Sequence, residues 1–197
     1  MKYLIVFFLL GVFSGDKNYR LINQPIPEIS GETLGGKKID KAFFKGKVTL
    51  VNFMALGCQP CMKELPFLHE LDSVYRNNNF QVLCIAPHSR ERLQAFNSDV
   101  KSAYSGFRKA IGVELIKVNL LPECEISKKE PSDDEYHLTL NHDCETISVE
   151  FDVEAYPMTF IVDKEGIIRK IEFGYPMGAS DTIYKQGIIK EIETWLQ

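Results

Sequence analysis

The chain has 197 residues, 45% of them apolar and 25% charged, with 13 glycines and 9 prolines. That length fits one domain or two small ones, and the apolar fraction excludes wholesale disorder as well as a collagen-like or coiled-coil rod. Lys and Arg number 23 against 27 for Asp and Glu, a net charge of −4, so the basic excess that drives binding to phosphate backbones is missing and nucleic acid is not an expected partner.

The chain opens with Met1-Lys2-Tyr3, an apolar run from Leu4 to Phe13, and then Ser14-Gly15-Asp16. One positive charge, about ten apolar residues and a small-residue exit make up a secretory signal peptide. Residues 1–15 are therefore expected to be a leader cut after Ser14 or Gly15, with the protein working in the periplasm or another extracytoplasmic space. No cysteine lies near the cut, so a lipid anchor is not supported, and no apolar run reaches the roughly 18–20 residues that cross a bilayer. An uncleaved interfacial anchor or a buried N-terminal strand is the alternative. Outside the cytosol, paired cysteines persist as disulfides. The chain has five, an odd number, so at least one stays free or pairs elsewhere.

In chain order, residues 25–29 and 37–39 flank a turn-rich stretch at 31–36 and predict a small β-hairpin. Residues 48–54 form a near-continuous apolar run, the pattern of a central strand buried on both faces. Leu65, Leu68, Leu71 and Tyr75 recur at helical spacing and predict a helix over 58–76, stopped by Asn77-Asn78-Asn79. A second buried strand follows at 80–86, then a helix capped by Ser89 that continues with interruptions to about 111. Residues 113–118 predict another strand. From Glu123 to Glu135 there are six acidic and two basic residues, so 119–145 reads as an exposed excursion, ending in a short strand at 136–140. A hairpin at 158–163 and 167–171 turns at Lys164-Glu165-Gly166, and a helix over 181–196 closes the chain. The order predicts one α/β domain over 16–197, a sheet covered on both faces by helices, with 119–145 as an insertion.

Cys58-Gln59-Pro60-Cys61 falls where a buried strand hands over to a helix. Unpaired N–H groups and the positive dipole end at a helix start favour an anion, so a Cys58 thiolate is expected below the usual pKa of about 8.5. Pro60 suits a first helical turn. Cys58 would attack a partner disulfide and Cys61 would resolve the mixed disulfide. A zinc half-site and an inert staple are the other readings; zinc needs two further ligands at suitable spacing. Tyr156-Pro157 precedes an apolar run, and a cis bond there would offer backbone to an incoming peptide, although a trans proline at a strand start is the ordinary case.

Val51-Asn52-Phe53, Cys58-Gln59-Pro60-Cys61, Glu64-Leu65-Pro66 and the run from Tyr156 to Asp163 together resemble the TlpA/ResA branch of thioredoxin-like proteins, as does Gly46-Lys47 before the central strand. The resemblance covers about 24–196 apart from the insertion. It implies a thioredoxin-like fold, export across the inner membrane, catalytic Cys58 and Cys61, and a cis Pro157. It further implies exchange with exported protein thiols and disulfides and tilts toward a reductase fed by a membrane electron donor. The residues themselves leave the direction open, since a stabilised Cys58 thiolate makes the disulfide form oxidising. No cofactor and a monomer are expected. The family commonly has Trp where this chain has Met54 and Gly57. Asn52 stands where thioredoxin has a buried Asp that shuttles a proton. A base for Cys61 must then come from water or elsewhere; Glu64 is a candidate, against the reading of a solvated first-turn acid.

Cys84, inside a buried strand, is expected to be core. Cys124 and Cys144 bracket the insertion and are candidates for a structural disulfide, which would stabilise such a loop by about 3 kcal/mol in the chain-entropy view. His137 and His142 lie between them, so unpaired thiols or a Cys–His–His–Cys metal site are alternatives, but no trusted metal spacing is present. His88 is expected to be a solvated loop histidine, the alternative being a place at the active-site edge. Two competing functions share the fold. A thiol peroxidase would usually place Thr three residues before its reactive cysteine, where this chain has Ala55. A non-catalytic binding module would present the acidic insertion and keep the pair as a staple.

Overall fold

The computed structural model describes residues 20–124, 146–176, 178 and 180–197. A two-stranded hairpin, β1 (Gly31–Glu32) with β2 (Lys38–Ile39), leads into the short helix α1 (Lys41–Phe44). The central strand β3 (Val48–Phe53) is followed by α2 (Gln59–Tyr75), which returns the chain to β4 (Phe80–Ser89). Helices α3 (Arg90–Phe96) and α4 (Ala103–Ala110) precede β5 (Asn119–Cys124). After α5 (Thr146–Glu150), strands β6 (Met158–Val162) and β7 (Ile168–Phe173) form a hairpin, and α6 (Asp181–Leu196) ends the chain.

The main sheet has the spatial order β5-β4-β3-β6-β7. Strands β3, β4 and β5 are mutually parallel, joined by helical crossovers, while β6 and β7 run antiparallel. Every residue of β3 is buried, as its unbroken apolar run predicts. Side chains alternate across the pleat. Leu50 and Met54 face a core with Leu65, Leu68, Leu71, Ile188 and Ile192, while Val51 and Phe53 face Ile39, Phe43, Phe151 and Phe160. Burying each such Leu or Phe contributes about 1.5–3 kcal/mol. In α6, Tyr184, Ile188 and Ile192 recur every four residues, and this stripe lies on the α2 side of the sheet.

The α/β thioredoxin-like layout is present, with differences from the sequence expectation at the hairpin, at 113–118 and at 119–124. The first strand of the N-terminal hairpin is Gly31–Glu32 rather than 25–29; Pro25 and Pro27 carry no N–H for a ladder, and Pro25 makes a single bridge to Ile167. Residues 113–118 are not a strand. Side chains take their backbone groups: Arg108 donates to the Val113 carbonyl, and Asn97 both accepts from Ile116 N–H and donates to its carbonyl. The sheet instead takes 119–124, the first residues of the expected excursion, because Leu120 and Leu121 pair with Cys84 and Ile85 and enter opposite cores. The leader, Cys144, His137, His142 and the strand expected at 136–140 lie outside the described residues, as does the Cys124 side chain.

Candidate active site

Between β3 and α2 the chain makes a tight turn over residues 54–58. The Cys58 N–H donates to the Ala55 carbonyl at 3.2 Å, and Gly57 takes φ +81°, a left-handed conformation that costs a side-chain-bearing residue about 1–2 kcal/mol. The departure from Trp at this place thus has a backbone consequence: the turn uses a conformation that glycine adopts freely. Inside the turn, the Leu56 N–H donates to Nε2 of His88 at 2.9 Å. His88 is therefore not a solvated loop residue. It lies in β4, only 4% exposed, since the strand runs three residues past the apolar stretch that marks it in the sequence. Burial, with Arg92 nearby, pushes its pKa down to about 3, so the ring stays neutral and its bare nitrogen accepts a hydrogen bond.

Cys58 is the N-cap of α2, and its Sγ accepts the Cys61 N–H at 3.2 Å. The sulfur occupies the place of a capping oxygen at the positive end of a long helix. Pro60 sits in the first turn, where no N–H is needed. Cys58 is half-buried and Cys61 is 2% exposed. The two sulfurs are bonded to each other at 1.98 Å, the oxidised form of a dithiol couple.

The Tyr156–Pro157 peptide bond is cis, as the family resemblance implies. Met158 pairs with Phe53 at the end of β3, so Tyr156 and Pro157 come next to the turn that carries Cys58. The Pro157 carbonyl accepts the Gly174 N–H at 2.8 Å. Tyr156 packs against both cores, and its hydroxyl is 3.4 Å from the Ser148 hydroxyl. Ser148 in turn gives its N–H and its O–H to the Glu123 carboxylate at 2.6 and 2.7 Å. Glu123 and Ser148 had no signal in the sequence, because the pairing joins a strand end to a five-residue helix that periodicity does not reveal.

Beneath Cys61, one helical turn further along α2, lies Glu64. It is not the solvated acid expected of a first helical turn; it is fully buried. Asn52 and Thr159 stand opposite each other in register on β3 and β6. Asn52 donates to Glu64 at 3.0 Å and to Thr159 at 2.8 Å, while Tyr184 donates to Glu64 at 2.5 Å. Burial raises the Glu64 pKa to about 7, against the pull of the Tyr184, Asn52 and Thr159 hydrogen bonds. A carboxyl group with that pKa exchanges protons near neutrality. Cys84 faces Asn52 across the β3–β4 pairing, fully buried and free, as expected of core; burial, Glu64 and Asp72 push its thiol up.

A model of the AhpC/TSA family matches residues 22–171. The chain is 27% identical over 157 residues to thioredoxin-like protein YneN of Bacillus subtilis, covering 77% of this chain and 71% of that one. It is 33% identical over 79 residues to the thiol-disulfide oxidoreductase ResA of Bacillus thuringiensis, a match that takes in 40% of this chain and under half, 46%, of that relative. Among solved structures, a thioredoxin-family thiol:disulfide interchange protein from Chlorobium tepidum superposes with a TM-score of 0.54 at 21% identity, over 88% of this chain and 96% of that one. A thiol:disulfide interchange protein from Bacteroides sp. gives 0.54 at 19% identity, over 87% and 90%. At these identities the structures speak for the fold.

Proposed function

This chain belongs to the AhpC/TSA family, as a thioredoxin-like protein of ResA/TlpA type, and on that premise we propose that it is an exported thiol–disulfide oxidoreductase that reduces disulfides of other exported proteins. The observation that carries the reading is the Cys58 sulfur capping α2, with the Cys61 amide aimed at it and Cys61 buried behind. In the reduced protein the same amide and helix dipole favour the Cys58 thiolate, which attacks one sulfur of a substrate disulfide. A mixed disulfide forms, and the departing substrate thiolate takes a proton from water. Cys61 then gives its proton to Glu64 and attacks Cys58 Sγ. The Cys58–Cys61 bond closes, the second substrate sulfur leaves as a thiolate that takes the proton held on Glu64, and two electrons have passed to the substrate.

Tyr156 and Pro157 form the rim against which the substrate peptide is held, and the Ser148–Glu123 pair, with Glu123 at the same end of edge strand β5, anchors Tyr156. Return of the pair to the dithiol form requires an external donor of two electrons, which for an exported protein is a membrane-bound dithiol. The charged, apolar and small-residue pattern at 1–15, expected of a leader, supports this placement.

The test is reduction of insulin disulfides by the protein with a chemical dithiol as donor, together with equilibration of the pair in glutathione buffers. A reductase reaches a potential nearer the thioredoxin value of about −270 mV than the about −120 mV of a strong oxidant. No insulin reduction would remove the reading, and an oxidising potential would reverse its direction. Sequencing the mature N-terminus from cells checks the cut after Ser14 or Gly15.

A further inference from the structure

The proton site under Cys61 has a member that comes from the far end of the chain. Three donors meet the Glu64 carboxyl: Asn52 from β3, Thr159 from β6 at 3.5 Å, and Tyr184 from the first turns of α6 at 2.5 Å. Tyr184 makes the shortest of these bonds. Its ring is held by edge contacts to Phe67 and Tyr175, with centroids 6.4 and 5.2 Å apart. We propose that Tyr184 is a positioning residue for disulfide exchange: its hydroxyl holds Glu64 in the charged form that accepts the proton of Cys61. This rests on the oxidoreductase reading above and adds to it the control of its proton step.

The chemistry follows from the direction of the bonds. A carboxylate only accepts, and all three neighbours can donate to it. Burial works against the charge, and hydrogen bonds to the charged form work for it. Burial and the Glu64 carboxylate hold the Tyr184 phenol protonated well above its usual range, so it remains a donor through neutral pH. The groups that bear on Glu64 are Asn52 from β3, Cys84 from β4, Thr159 from β6 and Tyr184 from α6, with Cys61 one turn back on its own helix; Glu172 of β7 acts on the phenol. Of these, Tyr184 offers the hydroxyl that can be removed with its ring packing kept.

The experiment uses the full-length protein. In the oxidised form the two active cysteines do not titrate, so the infrared carbonyl band of protonated Glu64, identified by its loss in Glu64→Gln, reports that group alone. Tyr184→Phe should move the midpoint of this band up by about one pH unit, and lower the rate of insulin reduction at pH 7 about fivefold with recovery at higher pH. A ring-fluorinated tyrosine at 184, the stronger donor, should move the midpoint down. Ile188→Val loosens the same helix and should move neither. An unmoved band in Tyr184→Phe, an equal shift in Ile188→Val, or a rate profile that does not follow the band overturns the proposal. The band is recorded without substrate, so it distinguishes failure here from wild-type protein that reduces no disulfide, the result that would remove the oxidoreductase reading itself.

Discussion

Nε2 of His88, at the end of β4, accepts the backbone N–H of Leu56, two residues before Cys58. A strand-borne imidazole thereby fixes the turn that aims Cys58 at the helix start. His88→Phe keeps a ring in the cavity and removes the acceptor, leaving a buried N–H unpaired at a cost of about 1–3 kcal/mol. We expect a lower urea midpoint with an unchanged slope, and faster alkylation of Cys58 in the reduced protein as the turn loosens. A variant with the parent's midpoint and alkylation rate would show that the bond contributes nothing.

Two buried groups make stability depend on pH in opposite directions. Glu64 has its pKa raised from 4.5 to about 7. Across that interval the folded protein keeps a proton that the unfolded chain has lost, so this contribution is complete below pH 4.5 and is lost as pH rises through about 7. His88 has its pKa lowered from 6.5 to about 3. There the unfolded chain binds the proton that the folded protein excludes, so stability falls as pH drops from 6.5 toward 3. The slopes oppose between pH 4.5 and 6.5. Glu64→Gln should unmask the His88 limb, with stability rising to pH 6.5 and then level to pH 8, whereas the parent loses stability between pH 6.5 and 7.5. Urea midpoints across pH 4.5–8 measure this; superimposable profiles for variant and parent would contradict the burial-driven shift of Glu64.

The strands and helices that bury apolar runs were legible because their period shows directly: Val48–Phe53, the Leu65, Leu68, Leu71 stripe, and the hairpin at Lys164-Glu165-Gly166. The Cys58–Cys61 pair was legible because its chemistry is local, four residues at a strand-to-helix junction. Glu64, His88 and Tyr184 were misjudged or missed for one reason. Each is polar in sequence, Glu64 and His88 are buried and Tyr184 is half-buried because partners from other elements satisfy them, and those partners lie 12 to 120 residues away. Residues 113–118 failed as a strand for a related reason, since Asn97 and Arg108 claim their backbone groups. Pattern reading registers side-chain polarity, and it has no access to who meets whom across a fold.

The division of labour between the two cysteines predicts distinct phenotypes. On the proposed mechanism half-buried Cys58 is the sulfur that meets substrate, and Cys61, at 2% exposure, attacks its neighbour. Cys58→Ser should abolish insulin reduction. Cys61→Ser should retain the first attack and accumulate mixed disulfides, seen as higher-mass species that collapse on adding a chemical thiol. Expression of Cys61→Ser in its native cells and identification of the captured proteins gives the substrates. Equal activity of both variants would show that the chemistry does not run through this pair.

Gly57 offers a test of how far the geometry of the turn sets the reactivity of the pair. Its φ of +81° lies where a Cβ approaches the neighbouring carbonyl, so Gly57→Ala should cost about 1–2 kcal/mol if the turn is kept. The alternative for the variant is to relax the turn, which would lengthen the Leu56 to His88 bond and swing Cys58 away from the Cys61 amide. The two responses separate experimentally. Retained geometry lowers the urea midpoint and leaves the pH midpoint of Cys58 alkylation unchanged. A relaxed turn spares stability and raises that midpoint, because the thiolate loses its amide donor and part of the helix field. We expect the first, since the Leu56 bond to a buried histidine and the Cys58 bond to Ala55 hold the turn from both sides. A Gly57→Ala protein with unchanged stability and unchanged alkylation would mean that neither the left-handed backbone nor the position it gives Cys58 matters to the reaction.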